Sequence, residues 1–316
     1  MTYSTQWSKI LVAILILLSI LLLAGIAFFV YSGTFFRGLE KTLEFNGQTR
    51  RYRVHLPSGF DSKKPTMLLI ALHGLGDHPR LMELYSGLSI KADQENFIVV
   101  YPYGTKGATR PKLSWNGMFC CGEAWKSGVD DVGFLKTLIS QLQADYAIDS
   151  SKIFMTGFSN GAIMTYRFAI EAPGILRAGA IVQGSMGGKV TSDSPFLSLG
   201  SPTQSLPLLV IHGKKDHVIP YEGGTGGDPN ASFESVENSL APWIALHPQV
   251  TKKVTPILDA KIEQTDYMVR DSLLLRHLAL ERTGHMWPGI MNIYEMLWNR
   301  PHFWASDALV DFFQSR

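Results

Sequence analysis

The chain has 316 residues, and its 29 Lys plus Arg nearly balance its 27 Asp plus Glu, which leaves a formal net charge of +2. So small a charge produces no strong field for nucleic acid or an acidic polymer, and we expect no nucleic-acid partner. No repeat or low-complexity tract divides the chain. Its length suits one large α/β domain after an N-terminal segment of a different character.

That N-terminal segment is apolar from Ile10 to Val30, interrupted only by Ser19 and Gly25. As a helix the run would reach about 31 Å, close to the thickness of a hydrocarbon core. It is longer than the apolar region of most cleavable signals, and Phe28-Phe29-Val30-Tyr31 closes it where a small-x-small cleavage site would be expected, which favours an uncleaved membrane anchor over a removed signal peptide. We therefore predict an anchor or signal segment at 1–36, which would associate with the membrane, and a catalytic domain at 37–316.

The next elements predict a sheet with an antiparallel edge. Asn46-Gly47 separates two strand-like runs, 42–45 and 52–55, and is a typical hairpin turn. Residues 67–72 are continuously apolar, as expected for a parallel strand covered on both faces, and they lead into a glycine-bracketed loop at 73–77.

The only two cysteines are adjacent, Cys120 and Cys121. Neighbouring Cα atoms across a trans peptide lie about 3.8 Å apart, below the usual disulfide range, so a bond between them would be strained. Two ligands are too few for a zinc site, and we expect no metal. A vicinal disulfide and a pair of buried thiols both remain open.

A helix is predicted after Asp130 and Asp131, because apolar residues recur at helical spacing from 132 to 142 and either aspartate could cap it. Two further helices are predicted at 232–247 and 302–313.

The most informative motif is the Gly-x-Ser-x-Gly turn at 157–161, centred on Ser159. An apolar strand precedes it and a helix-like segment follows it, which is typical of a nucleophile elbow that exposes the serine above the carboxyl edge of a parallel sheet. A serine hydroxyl becomes nucleophilic only when a base removes its proton, and the base needs a carboxylate to orient it.

Candidates for both partners follow in the expected order. After another strand at 178–182, residues 207–211 predict a buried strand, and Asp216 lies in the loop just after it. Residues 273–280 predict the last strand, and His285 lies in the loop that follows. The order Ser, Asp, His, each after a strand, is that of α/β-hydrolases.

Backbone N–H groups must also point at the negative oxygen that acyl transfer creates. We assign these to Asn160, directly after the nucleophile, and to Leu75 in the 73–77 loop. Three aromatic residues near the motifs, Trp115, Tyr221 and Trp287, are candidates for contact with substrate. Core packing is the competing explanation for each of them.

Several separated blocks, in this order, resemble the esterases grouped with polyhydroxybutyrate depolymerases and feruloyl esterases, which are secreted relatives of acetyl xylan esterases. The resemblance covers about residues 51–313. The blocks are 51–57, 72–74, 97–102, 115–116, 120–122, 129–135, 157–161, 212–213 with Asp216, and 284–289.

The alternation of apolar strands with helical segments predicts one doubly wound, mostly parallel sheet with an antiparallel N-terminal edge, and the resemblance implies an α/β-hydrolase. It implies a serine esterase with Ser159, Asp216 and His285 as catalytic residues, an ester as substrate, no cofactor, and a catalytic domain outside the cytoplasm. A peptidase or acyltransferase could use the same three residues. A non-catalytic, membrane-anchored binding protein is the alternative of a different class, although such proteins usually lack one of the three.

Overall fold

A computed structural model describes residues 12–25, 38–107, 112–189, 191–258, 261–289 and 303–316. Within these ranges the chain forms two units, an N-terminal one that ends at Arg37 and a second from Gly38 to Arg316. In the first, residues 12–25 form helix α1, whose apolar side chains are exposed.

Over the described ranges, no helix combines the length and apolar character needed to cross a bilayer. The remaining parts of the predicted apolar span, residues 10–11 and 26–30, lie outside the described residues.

The second unit is built on strands that alternate with helices. The strands are β1 (Leu39–Phe45), β2 (Gln48–His55), β3 (Thr66–Leu72), β4 (Ile98–Pro102), β5 (Thr105–Lys106), β6 (Leu113–Ser114), β7 (Ile148–Phe158), β8 (Ala178–Val182), β9 (Gly187–Lys189), β10 (Leu197–Ser198), β11 (Leu208–Gly213), β12 (Gly224–Thr225), β13 (Ser232–Phe233), β14 (Val250–Ile257), β15 (Ile262–Val269) and β16 (Ser272–Leu280).

Ten strands form the central sheet in the order β1-β2-β4-β3-β7-β8-β11-β16-β15-β14. The pairs from β4 to β16 are parallel, and those at both edges are antiparallel. The predicted fold class, a mostly parallel α/β-hydrolase sheet with an antiparallel N-terminal edge, is confirmed. The second antiparallel edge, β14 and β15, is an addition that the sequence reading did not anticipate.

Helices cover both faces of this sheet because every second residue of a strand points to the same face. The helices are α2 (Pro79–Ser86), α3 (Leu88–Glu95), α4 (Gly122–Lys126), α5 (Asp131–Asp145), α6 (Asn160–Glu171), α7 (Val236–Ala245) and α8 (Ala305–Gln314). On β3, Leu69 and Ala71 pack with α2, α3 and α8, whereas Leu68 and Ile70 pack with α5 and α6.

The predicted hairpin turn and helix ends can be compared with the structure one by one. Asn46 and Gly47 both have positive φ and close the β1–β2 hairpin, as a tight type I′ turn requires. Asp130 caps α5 by accepting a hydrogen bond from the backbone N–H of Gly133, so it, and not Asp131, is the capping residue. The helix predicted at 232–247 is shorter, because residues 232–233 pair in β13 and Ser235 caps α7.

Candidate active site

Ser159 occupies a sharp turn between β7 and α6. Its φ is 55°, a conformation that non-glycine residues rarely adopt, and it is the residue that precedes the first turn of α6. A side chain at Gly157 would overlap the backbone of Gly161, and one at Gly161 would overlap the carbonyls at the end of β3. Both glycines are therefore needed for the close approach of strand and helix that exposes Ser159.

The structure brings Ser159, His285 and Asp216 into one hydrogen-bonded chain. His285 Nε2 lies 2.9 Å from Ser159 Oγ, and His285 Nδ1 lies 2.7 Å from Asp216 Oδ2. A carboxylate only accepts, so Nδ1 carries the proton and Nε2 is free to accept the serine proton. The Phe158 ring, centred 5.0 Å from the imidazole, packs beside it.

Asp216 is buried and held as a carboxylate by several N–H donors. Its Oδ1 accepts hydrogen bonds from the backbone N–H groups of Val218 and Ile219, at 2.8 and 2.9 Å. Burial alone raises the pKa of Asp216, but hydrogen bonds from His212 and His285, the charge of His285 and the Ile219 N–H outweigh it. The pKa of Asp216 therefore lies well below its usual range, and the group is ionised throughout the neutral range.

A second histidine, His212, lies beside the acid. Its Nε2 is 2.9 Å from the carbonyl of Ile219, which can only accept, and 3.4 Å from Asp216 Oδ2. The Nε2 atom therefore carries a proton, and its N–H lies within reach of both the carbonyl and the carboxylate. The buried Nδ1 of His212 has no hydrogen-bond partner among the described residues.

The two predicted oxyanion-binding residues, Leu75 and Asn160, both line the cavity that Ser159 lines. Asn160 opens α6, and the first N–H groups of a helix are left unpaired by the helix itself. The backbone N–H of Leu75 has no acceptor in the described part of the chain. The buried His73 ring braces this loop, accepting from Gly104 N–H at 3.1 Å and donating to Gly74 O at 2.7 Å. Burial lowers the pKa of His73 to about 4, which keeps it neutral.

The side chain of Asn160 supports a neighbouring turn. Its Oδ1 accepts from the Trp115 backbone N–H at 2.7 Å and its Nδ2 donates to the Trp115 carbonyl at 3.0 Å. Asp131 continues this support, accepting from Asn116 N–H and from Arg50, both at 2.9 Å. The separated sequence blocks at 115–116 and 129–135 therefore meet in one braced turn beside the nucleophile.

That turn carries the two cysteines. Cys120 and Cys121 are joined by a cis peptide bond, and their sulfur atoms are in bonding contact as a vicinal disulfide. Both residues line the cavity next to Ser159.

This cavity has a volume of about 350 Å³, within the usual range for small-molecule sites. Its lining includes two charged side chains, Lys126 and Asp228, but is mainly apolar. The apolar residues on its walls include Leu75, Trp125, Ile163, Val218, Ile219, Ala231 and Phe233.

None of the three aromatic candidates for substrate contact is among the residues that line this cavity. Trp115 is fully buried and donates from its indole N–H to the His73 carbonyl at 3.0 Å, so it supports the 73–77 loop. Trp287 is also buried, and its indole N–H reaches Ser306 Oγ at 3.1 Å on α8. Both side chains point into the core because their loops turn inward there.

Tyr221 is the third aromatic candidate. Its ring stacks on His277 at 5.7 Å and meets the edge of His212 at 5.9 Å. It is not among the residues that line the cavity, so its role in substrate contact stays a prediction.

Two polar residues that were not predicted as site residues, Gln183 and His212, contact the acid and base loops. Their positions in the sequence could have indicated them, because each lies at the carboxyl end of a buried strand, β8 or β11. Within the described ranges no cluster of His, Cys, Asp or Glu could hold a metal ion.

The mostly parallel sheet and the Ser-His-Asp chain at its carboxyl edge define an α/β-hydrolase with a serine-hydrolase type of site. Residues 60–228 match the phospholipase/carboxylesterase family, and the chain belongs to that family.

The curated relatives are esterases. The chain is 29% identical over 181 residues to a probable feruloyl esterase C of Aspergillus terreus, covering 55% of this chain and 58% of that protein. It is 27% identical over 177 residues to a bifunctional acetylxylan esterase/xylanase of Neocallimastix patriciarum, covering 56% of this chain and 23% of that protein. The match thus spans from about a quarter to three fifths of the length of these relatives.

Solved structures share the fold at low sequence identity. An acetyl xylan esterase from Aspergillus awamori aligns with a TM-score of 0.56 at 16% identity, covering 83% of this chain and 98% of that one. A ferulic acid esterase from Anaeromyces mucronatus aligns with a TM-score of 0.53 at 18% identity, covering 79% and 85%. These similarities concern the fold.

Proposed function

We propose that this chain is a serine esterase that hydrolyses carboxylic esters through an acyl-enzyme on Ser159. The observation that carries the proposal is the continuous hydrogen-bonded chain from Ser159 Oγ through His285 to Asp216, with distances of 2.9 and 2.7 Å. Membership of a carboxylesterase family supports the same chemistry.

In the first half of the reaction, Ser159 Oγ attacks the ester carbonyl carbon while His285 Nε2 takes the hydroxyl proton. The protonated imidazole is stabilised by the ionised Asp216 and then donates that proton to the departing alcohol oxygen. In the second half, water attacks the acyl-enzyme, its proton passes to Nε2, and the proton returns to Ser159 as the acid leaves.

The negative oxygen of each tetrahedral intermediate would lie between the backbone N–H groups of Leu75 and Asn160. The positive end of the α6 dipole adds to this stabilisation because Asn160 is its first residue. Donors already held in place by the surrounding structure need not reorganise as the charge develops.

The substrate class that we propose is an ester with a short acyl, feruloyl or polyester-type acid group. The largely apolar cavity of about 350 Å³ beside Ser159 supports an acid group of modest size. Relatives named as feruloyl and acetylxylan esterases act on acid groups within this range.

The test is a panel of para-nitrophenyl esters of graded chain length, with methyl ferulate, acetylated xylan, polyhydroxybutyrate and a peptide anilide. We expect acetyl to butyryl or feruloyl esters to be hydrolysed fastest, with no turnover by Ser159→Ala. Faster cleavage of the peptide, or acyl transfer to an added alcohol in place of hydrolysis, would replace the proposal with a peptidase or an acyltransferase. Tight binding without turnover of any substrate would indicate a binding protein.

We further propose that the catalytic unit acts outside the cytoplasm, directed there by the apolar segment at 10–30. Fractionation of the host cell and sequencing of the mature N-terminus would test this. Recovery of the active chain from the cytoplasm would contradict it.

A further inference from the structure

Gln183 is a fully buried polar residue at the point where the elements of the site converge. It directly follows β8 and has a φ of 58°, which is uncommon for a residue other than glycine. Its backbone N–H donates to the Ile211 carbonyl of β11 at 2.9 Å. The preceding carbonyl, of Val182, accepts the Ser159 N–H at 3.0 Å. The backbone at this residue therefore touches the strand before the acid and the turn that carries the nucleophile.

The side chain of Gln183 joins the two remaining loops. Its Nε2 donates to the carbonyls of Gly284 and Met286, at 2.8 and 3.1 Å, which are the residues on either side of His285. Its Oε1 lies 3.3 Å from the Gly213 N–H, at the start of the acid loop. Because carbonyls only accept and the N–H only donates, these partners define the orientation of the amide.

We propose that Gln183 is a positioning residue for the base, one that holds the His285 loop against the Asp216 loop. This inference rests on the proposed esterase function. The amide satisfies both carbonyls next to His285, so the imidazole is presented to Ser159 from a loop that is fixed on each side. A displacement of about 1 Å in such a group can cost a factor of about 100 in rate.

The acid and base loops have other connections besides Gln183, so loss of its amide tests the position of the His285 loop rather than folding. The Lys215 N–H donates to the Thr283 carbonyl at 3.0 Å and keeps the two loops adjacent. Without the amide we expect the His285 loop to stay near the acid loop but to lose its orientation.

The principal variant is Gln183→Met, which keeps the length of the side chain and removes the amide. We expect kcat for para-nitrophenyl acetate to fall about 10- to 100-fold, with KM within about threefold of wild type. The matched control is Gln264→Met, which removes an amide contact to Asp266 on β15 and should keep wild-type kinetics. Rates are compared per mole of folded protein, measured by circular dichroism and melting temperature.

A second variant and a second background distinguish a positioning role of Gln183 from a structural one. Gln183→Asn retains an amide that is too short to span all three partners, so it should lose activity to a smaller extent, and it replaces Gln183→Met if that protein does not fold. In a His285→Ala background, Gln183→Met should cause no further loss in the residual rate or in labelling by a fluorophosphonate probe. A merely structural role would lower the rate equally in both backgrounds.

The outcomes separate this inference from the function it rests on. If the wild-type chain neither hydrolyses the esters nor reacts with the probe, the esterase proposal fails and the inference fails with it. If the wild type is active but a folded Gln183 variant keeps more than half of its kcat, or loses activity equally in the His285→Ala background, the inference alone is overturned.

Discussion

The two sides of Ser159 are built in opposite ways. On the side of the acid and base, each polar atom of the Asp216 and His285 pair meets a directed hydrogen bond, and Gln183 and His212 extend this network inward. On the other side lies a mainly apolar cavity.

The difference has a physical reason. Proton transfer depends on distance and angle, so the groups that move protons must be held by directional bonds. An acyl group is retained by removal of apolar surface from water, which has no direction and tolerates several shapes. In the proposed reaction, the groups that transfer protons are therefore held in a more defined geometry than the acyl group of the substrate.

The largest effect is expected from removing the members of the hydrogen-bonded chain. Ser159→Ala, Asp216→Asn and His285→Ala should each lower ester turnover by about three orders of magnitude or more, and double variants should show little further loss. Ser140→Ala, at an exposed position on α5, is the control and should retain full activity. More than a tenth of wild-type turnover in purified Ser159→Ala would exclude it as the nucleophile.

On the acid and base side of the site, the buried His277 should make the free energy of unfolding depend on pH. Burial lowers the pKa of His277 to about 3, with smaller contributions from His212, Lys214 and Lys252. The unfolded chain therefore takes up a proton first as the pH falls below about 6.5, and the free energy of unfolding declines by about 2 kcal/mol between pH 6.5 and 4.5.

In His277→Phe this decline in the free energy of unfolding should be absent. His73, whose lowered pKa acts in the same direction, is present in both proteins. Urea unfolding at several pH values would measure the difference. Parallel pH dependences for the wild type and the variant would show that His277 does not resist protonation in the folded state.

A smaller effect is expected at the second histidine of the acid. His212→Leu removes the N–H that lies near Asp216 Oδ2 and leaves the Ile219 carbonyl unpaired, so kcat should fall about tenfold. His212→Gln offers an amide N–H in the same region and should retain more activity. His247→Leu, at a half-buried histidine bonded to Ser205, is the control. Unchanged kcat in a folded His212→Leu protein would mean that the acid needs no such donor.

The smallest effect is expected on the apolar side. Ala231→Leu should fill part of the cavity and lower kcat/KM for butyryl relative to acetyl esters by a few-fold, because each buried CH₂ contributes about 0.8 kcal/mol. Phe233→Ala should shift the preference toward longer chains, whereas Phe196→Ala, whose ring is exposed, should not. An identical chain-length profile in all four proteins would place the acyl group elsewhere.

Much of the architecture could be predicted because its signals are local. The apolar run before Ser159 and the glycines around it identify a strand and a tight turn within a few residues. The antiparallel β14–β15 edge was missed because β14 is largely exposed, β15 is mostly half-buried, and neither strand has a continuous apolar run.

By itself, the amino-acid sequence determined which residues follow the buried strands, and so which side chains could meet at the carboxyl edge of a parallel sheet. Ser159, Asp216 and His285 belong to this class. Only the tertiary structure decided where side chains in the loops point, since Trp115 and Trp287 turn into the core while the Gln183 side chain joins the acid loop to the base loop. The physical reason is that a pattern within a few neighbouring residues indicates which segments form strands. The direction of a side chain in a loop depends instead on partners that are distant in sequence.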